Sequence, residues 1–432
     1  MIQARQGIAT PDRPCIDYLD RPASIHRLAA PHEVAFWLVA YVFAVTILGT
    51  SLPAPLYAIY QRQWHFSSGI VTLIFAAYAV AVLAVLLVAG RTSDQVGRKP
   101  VMATALGFSA LSTVVFILAS GLGWLYIGRI LSGLSAGLMT GAAAAALTEM
   151  VQASASRRAS TVATAANMGG AGLGPLIAGL FAQYLPQPTV LVFEAYLGFL
   201  ALAALALVWV PETVTRRQRL SLRFTGLAIP RAGRPEFIAA GLAAFSAFAL
   251  TGLFTSLAPG FVGSVLHQAN YAIAGAVSFL IFAAATVAQL SLARFDSRPV
   301  TLAGLALFLA GLSLIVAGLS AASLALFLAG TVAGGIAVGA LFIGSLSTAN
   351  RLAPADSRAQ VLSTYFVFAY SGLIIPVVGV GTAADYVGDF RAVLGCSIAL
   401  AALCVWSATA ISGRARAVLA RSPAARRIAA RH

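Results

Sequence analysis

The sequence reads as an all-α membrane protein, twelve transmembrane helices in two pseudo-symmetric six-helix halves, and three observations predict it. Apolar residues fill 60% of the 432 positions and charged residues only 9%, against roughly 25% charged in soluble domains. The apolar residues fall in blocks of the roughly 20 residues a helix needs to cross hydrocarbon, separated by short polar or basic connectors. Open sheets cannot cross hydrocarbon, because unpaired backbone groups find no water there, and the blocks lack the alternation of a barrel strand.

Taken in chain order, residues 1–33 precede the first apolar block. They carry Asp12, Asp17 and Asp20, the wrong chemistry for a cleaved signal peptide, and are expected to stay cytoplasmic. Six spans follow, at about 34–57, 69–90, 100–120, 122–147, 160–183 and 189–210, forming the N-terminal bundle over 34–210. The longest internal polar stretch, 211–236, opens with Pro211-Glu212-Thr213, contains Arg216, Arg217, Arg219 and Arg223, and reads as a cytoplasmic linker. A C-terminal bundle over 237–411 then holds spans at 237–261, 271–293, 299–319, 322–348, 359–381 and 390–411, before a basic cytoplasmic tail, 412–432.

Charge placement sets the orientation. The net charge of +15 and pI near 10.6 could mark a nucleic-acid binder, but 25 of the 28 Lys and Arg lie in connectors on the side of the N-terminus. The other side has only Arg62 and Arg391, and Arg129 lies within span 4. Basic residues concentrate in cytoplasmic loops of membrane proteins, so both termini are expected in the cytoplasm of a multi-pass inner-membrane protein, with the lipid bilayer as its partner and no nucleic acid. Cys15, Cys396 and Cys404 form no disulfide framework.

The halves repeat at an offset of roughly 200 residues. Thr50-Ser51-Leu52-Pro53 echoes Thr255-Ser256-Leu257-Ala258-Pro259, Gly133 with Gly137 echoes Gly334 with Gly339, and Pro175 pairs with Pro376. The loop Ser156-Arg157-Arg158-Ala159 matches Asp356-Ser357-Arg358-Ala359.

Three local patterns carry mechanism. After span 2 the chain reads Gly90-Arg91-Thr92-Ser93-Asp94-Gln95-Val96-Gly97-Arg98-Lys99-Pro100. Its glycines allow close backbone approach, Asp94 can bind an Arg or a helix N-terminus of a neighbouring span, and Arg98 and Lys99 are expected to face the cytosol, with Glu149 meeting the same face. The plainer alternative is that the basic pair only fixes topology and Gly97 only turns the chain. In span 4, Arg129 is followed by Gly133, Gly137 and Gly141; an intramembrane Arg costs about 2.5–3.5 kcal/mol on insertion scales and implies a polar partner or cavity, while the glycine stripe implies close packing. In span 5, Gly170-Ala171-Gly172-Leu173-Gly174-Pro175-Leu176-Ile177-Ala178-Gly179 makes a pliable, closely packed helix.

Together these stretches resemble the major facilitator superfamily: the loop its signature motif, Arg129 its second motif, and span 5 its antiporter motif, with Ala178 where that pattern prefers Gly. The chain is most similar to the twelve-helix drug:proton antiporter type. The resemblance implies a secondary transporter, working as a monomer without a cofactor, that exports a small amphipathic or lipophilic compound in exchange for protons, the proton gradient being the driving force. The alternative is proton-coupled uptake of a metabolite such as a sugar or organic acid.

Glu194 is the one carboxylate well inside a predicted span and the candidate, with Arg129, for proton coupling; its nearness to Pro188 leaves open that it only faces the outer mouth. Tyr41, Asn167, Gln289, Tyr365 and Tyr370 are candidates for a substrate cavity. Drug:proton antiporters place an acidic residue in the first helix, whereas here Glu33 stands only at that helix's cytoplasmic end. A membrane enzyme finds no support: no His falls within a predicted span, no phosphate-binding loop or metal cluster is spelled, and Gly133-Leu134-Ser135-Ala136-Gly137 matches a hydrolase elbow only in letters, inside an apolar helix.

Overall fold

The computed structural model describes residues 31–90, 92–152, 155–214, 224–267 and 270–421. The first thirty residues with Cys15, Arg91, the linker arginines 216, 217, 219 and 223, and residues 422–432 of the tail lie outside the described residues. Fifteen helices follow in order among the described residues, without a strand: α1 (His32–Ser51), α2 (Tyr57–Trp64), α3 (Ser68–Val88), α4 (Thr92–Val96), α5 (Arg98–Ile117), α6 (Leu122–Glu149), α7 (Ser156–Tyr184), α8 (Pro188–Trp209), α9 (Arg234–Ser256), α10 (Ala258–Ser264), α11 (Tyr271–Leu292), α12 (Ser297–Ser320), α13 (Leu324–Leu352), α14 (Arg358–Val387) and α15 (Asp389–Arg421).

Twelve of them are long and apolar enough to span a membrane. The three short helices are α2, α4 and α10. Spans 1 and 7, expected to run unbroken to 57 and 261, instead stop at Ser51 and Ser256 and resume as α2 and α10. Each break falls on the repeated Thr-Ser-Leu motif just before Pro53 and Pro55 or Pro259, where proline removes an N–H and its ring crowds the carbonyl four residues back. Pro175 and Pro376, by contrast, sit inside α7 and α14 without ending them, which transmembrane helices tolerate because neighbouring helices satisfy the freed groups.

Helices α1 to α8 pack around one buried core, with Phe36, Phe43, Met102 and Phe193 at its centre. A second core, formed mainly by α9 to α15, is centred on Phe308, Phe327 and Leu341 and takes in Phe75 and Ala79 of α3. The halves meet along two seams, α3 against α14 and α7 against α11. The outward surface is apolar, with Leu202 and Leu205 of α8 and Ile398 and Val405 of α15 exposed, as expected where the solvent is lipid.

With no hydrophobic drive between helices in lipid, contact depends on how closely backbones approach. A Cβ on Gly170 or Gly174 of α7 would strike the α1 carbonyl oxygens of Ala44 or Leu48, and one on Gly372 of α14 would strike the Phe245 carbonyl of α9. Gly133 and Gly137 likewise seat α6 on α3, as Gly335 and Gly339 seat α13 on α11. The repeat expected with Gly334 therefore shifts by one: Gly335 is the counterpart of Gly133, and Gly334 faces Leu250 instead. Gly141, third in the stripe, faces open space.

Gly170→Val should therefore abolish recovery of monodisperse protein in size-exclusion chromatography. Gly198→Ala, on a surface of α8 with nothing nearby, should leave recovery intact and raise thermal stability by up to about 1 kcal/mol, the helix-propensity difference between the two residues.

Candidate substrate cavity and gates

At the face that carries the linker, the Gly90–Pro100 loop is a hydrogen-bonded knot. Gly97 adopts φ +118, a region L side chains rarely enter, and this turns α4 into α5. Arg98, only 9% exposed, folds inward instead of facing the cytosol as expected: its guanidinium binds Asp94 (2.5 Å), Glu149 at the end of α6 (2.7 Å) and Ser93 Oγ (2.7 Å). Three acceptors compensate its loss of water, which a solvated Arg would not need. Lys99 is drawn in as well, donating from Nζ to the Val208 and Val210 carbonyls (2.7 and 2.9 Å) at the end of α8, where the helix dipole favours a cation. Glu212, the middle residue of Pro211-Glu212-Thr213, accepts from the backbone N–H groups of Arg98 (2.9 Å) and Lys99 (3.2 Å) and so caps α5. Glu149 also accepts from Thr213 Oγ1 (2.5 Å).

Arg129 of α6 is 1% exposed. It donates from Nη1 to the Thr50 carbonyl at the break in α1 and stacks on Tyr78 and Phe75 of α3, 4.3 and 5.4 Å from the ring centroids. Its Nε is buried with no hydrogen-bond partner. Among the described residues it has no carboxylate partner. Glu194, the proposed one, lies on the exposed side of α8, because that helix turns Val192, Phe193 and Tyr196 into the core.

Between the halves lies a cavity of about 210 Å³. Of the five candidates from the sequence, Asn167, Gln289 and Tyr370 line it and Tyr41 and Tyr365 do not. Tyr41 reaches the Phe199 carbonyl of α8, and Tyr365 is fully buried in a side core with its hydroxyl 2.9 Å from Ser345 Oγ. Beyond these, the wall is aromatic, with Phe75, Tyr78, Phe248, Phe282, Phe342 and Phe366 supplied by both halves. The hydroxyls of Thr50, Ser51, Thr140, Thr251 and Thr255 complete its polar groups.

At the face opposite the linker the halves touch along both seams, beside a cleft of about 390 Å³ between Tyr57, Arg62 and Ser68 of one half and Pro259, Tyr271 and Asp389 of the other. Asp385 of α14 accepts from the Gly69 N–H in the first turn of α3 (3.2 Å), and Thr72 packs where Gly381 lacks a side chain. Gly179 and Gly275 bring α7 and α11 into backbone contact, and Gln183 accepts from the Tyr271 N–H (2.9 Å). At the linker face the main packing of α6 and α13 stays within their own halves. A second cavity of about 300 Å³ there separates Val88 and Gln95 from residues 356–360 of the other half. The linker bridges it: Thr225 donates to the Leu87 carbonyl (2.9 Å), and Ala228 both donates to and accepts from Thr364 Oγ1 (2.9 Å each).

A twelve-helix chain of two such halves matches the model of the Major Facilitator Superfamily over residues 39–375. The chain belongs to this superfamily. Multidrug resistance protein 1 of Bacillus subtilis (strain 168) is 25% identical over 182 residues, 42% of this chain and 47% of that protein. The chain thus matches about half the length of this relative. Two solved facilitator structures share the fold: the human organic anion transporter MFSD10 (TETRAN), with TM-score 0.66 and 18% identity over 88% of this chain and 100% of that one, and a bacterial homologue of the human lysosomal transporter Spinster, inward-facing and unoccupied, with TM-score 0.68 and 14% identity over 88% and 97%. At these identities the likeness is one of fold alone.

Replacing Arg98 with Ala removes the partner of three acceptors at once. It should lower the stability of the purified protein by about 1.5–3 kcal/mol, the usual worth of a charged hydrogen bond left unmade, read as a shift in its thermal melt.

Proposed function

We propose that this superfamily member exports a small amphipathic or lipophilic compound in exchange for protons, the two halves rocking about the central cavity. The observation that carries this reading is the lining: seven aromatic rings from both halves around two side-chain amides and a few hydroxyls. Such a wall suits an apolar body with one or two polar groups. The Ser and Thr hydroxyls of this wall already donate to backbone carbonyls, which disfavours the uptake reading for a sugar. The relative named for multidrug resistance adds to the case for export.

The linker face, richest in Lys and Arg, is taken as cytoplasmic, with both termini there and the protein acting as a monomer in the inner membrane. The halves then touch at the outer end through Asp385 and Gly69 and through Gln183 and Tyr271, and at the inner end the linker joins them. Because no Asp or Glu lines the cavity and Glu194 stands on the exposed side of α8, the exchanged proton is assigned to Asp385 of the outer gate, with Asp94 and Glu149 kept as gating residues of the inner face. Rocking of the halves makes and breaks the bond between Asp385 and the Gly69 N–H, since the two groups belong to different halves.

Two measurements test the reading. In acid-loaded proteoliposomes with a trapped pH dye, adding a lipophilic compound outside should alkalinise the lumen; an unchanged pH across a broad panel of compounds would remove proton exchange from the proposal. Asp94→Asn and Arg129→Ala should each abolish transport while the size-exclusion profile stays that of the unmodified protein.

A further inference from the structure

The charge balance of the cavity narrows its substrates. No carboxylate lines it, and no basic side chain either. A fixed charge, Arg129, lies one side-chain layer behind the wall: it bonds Thr50 and stacks on Tyr78 and Phe75, all three of which line the cavity. Its positive charge has no carboxylate partner among the described residues, and buried charges are little screened. On the opposite wall, Gln289 of α11 is 3% exposed and its Nε2 has no hydrogen-bond partner. A buried amide donor left unpaired is costly, and rotation about the soft terminal torsion of a glutamine would offer it to a ligand.

From these two features we infer that the cavity takes neutral or anionic lipophilic compounds bearing a hydrogen-bond acceptor and excludes organic cations. The inference rests on the reading of this cavity as the substrate site. The aromatic rings hold the apolar body, Gln289 donates to the acceptor, and the Arg129 field favours an anion over a neutral compound and a neutral compound over a cation. Aromatic faces alone would attract a cation, but the two rings nearest Arg129 already have that charge stacked on them.

Three naphthalene probes of similar size decide it: naphthamide, naphthalenesulfonate and naphthyltrimethylammonium, titrated calorimetrically into the full-length protein in detergent. The amide and the sulfonate should bind at least about tenfold tighter than the ammonium compound. Gln289→Leu should weaken the first two by about five- to tenfold, the loss of one hydrogen bond, and leave the third unchanged. Gln289→Glu, which places a carboxylate in the wall, should raise affinity for the ammonium probe above that for the sulfonate. Tightest binding of the ammonium compound to the unmodified protein, equal binding of all three, or no binding of the amide and sulfonate would each overturn the inference, whether or not the variants fold. Export is read separately, from movement of the bound probe in proteoliposomes: probes that bind in the stated order but do not move would refute export and leave the binding class intact.

Discussion

Everything in this molecule depends on how closely one helix backbone can approach another in a solvent that offers no hydrophobic drive and no water. The glycines of α6, α7, α13 and α14 meet that constraint by resting on carbonyl oxygens of α3, α1, α11 and α9. Helix α7 carries it furthest. Gly170 and Gly174 bear on α1, while Gly172 and Gly179 bear on α11, so one helix is held by its own half on one side and by the opposite half on the other. A helix held that way transmits displacement of one half to the other with little side-chain rearrangement, and Pro175 within it leaves room for bending.

The two halves share this packing but not their electrostatics. At the linker face of the N-terminal half, Asp94, Arg98, Lys99, Glu149 and Glu212 tie together the ends of α4, α5, α6 and α8. The corresponding loop of the other half, Arg294 to Pro299, has Arg298 on the Ile411 carbonyl and Arg294 stacked on Phe295. The N-terminal half therefore has the larger charged cluster at its linker-face end, whereas the C-terminal half ties α13 to α9 there by the Arg351–Glu236 pair (2.5 Å).

Span number, the division into halves and the repeat were legible in the sequence because each rests on a local cause: run length, charge placement, or glycine and proline spacing. The same local cues marked the signature loop and Arg129. What could not be read was helix rotation. Tyr41, Tyr365 and Tyr370 look alike as polar rings within apolar runs, yet only Tyr370 turns toward the cavity, since rotation is set by which neighbour each glycine stripe meets. The same rotation puts Glu194 on the exposed side of α8, a choice its sequence position beside Pro188 leaves open. Basic residues beside a span usually face solvent, but Arg98 turns inward because three acceptors from separate segments meet it there. Glu212 escaped notice as a linker residue, although a carboxylate followed by Thr just beyond an apolar span, on the face where another helix begins, is a cue that a cap is available.

The joining of α3 and α14 at both ends gives the seam a spine. At one end Asp385 holds the first turn of α3; at the other the linker runs from Leu87 to Thr364. Helices α7 and α11 have no such second tie among the bonds described at the linker face. If the halves part there, they open like a book bound along α3 and α14, with the free edge at α7 and α11. That edge lies on the flank of the molecule, so a gap there would open the cavity sideways, across the helices, as well as toward the linker face.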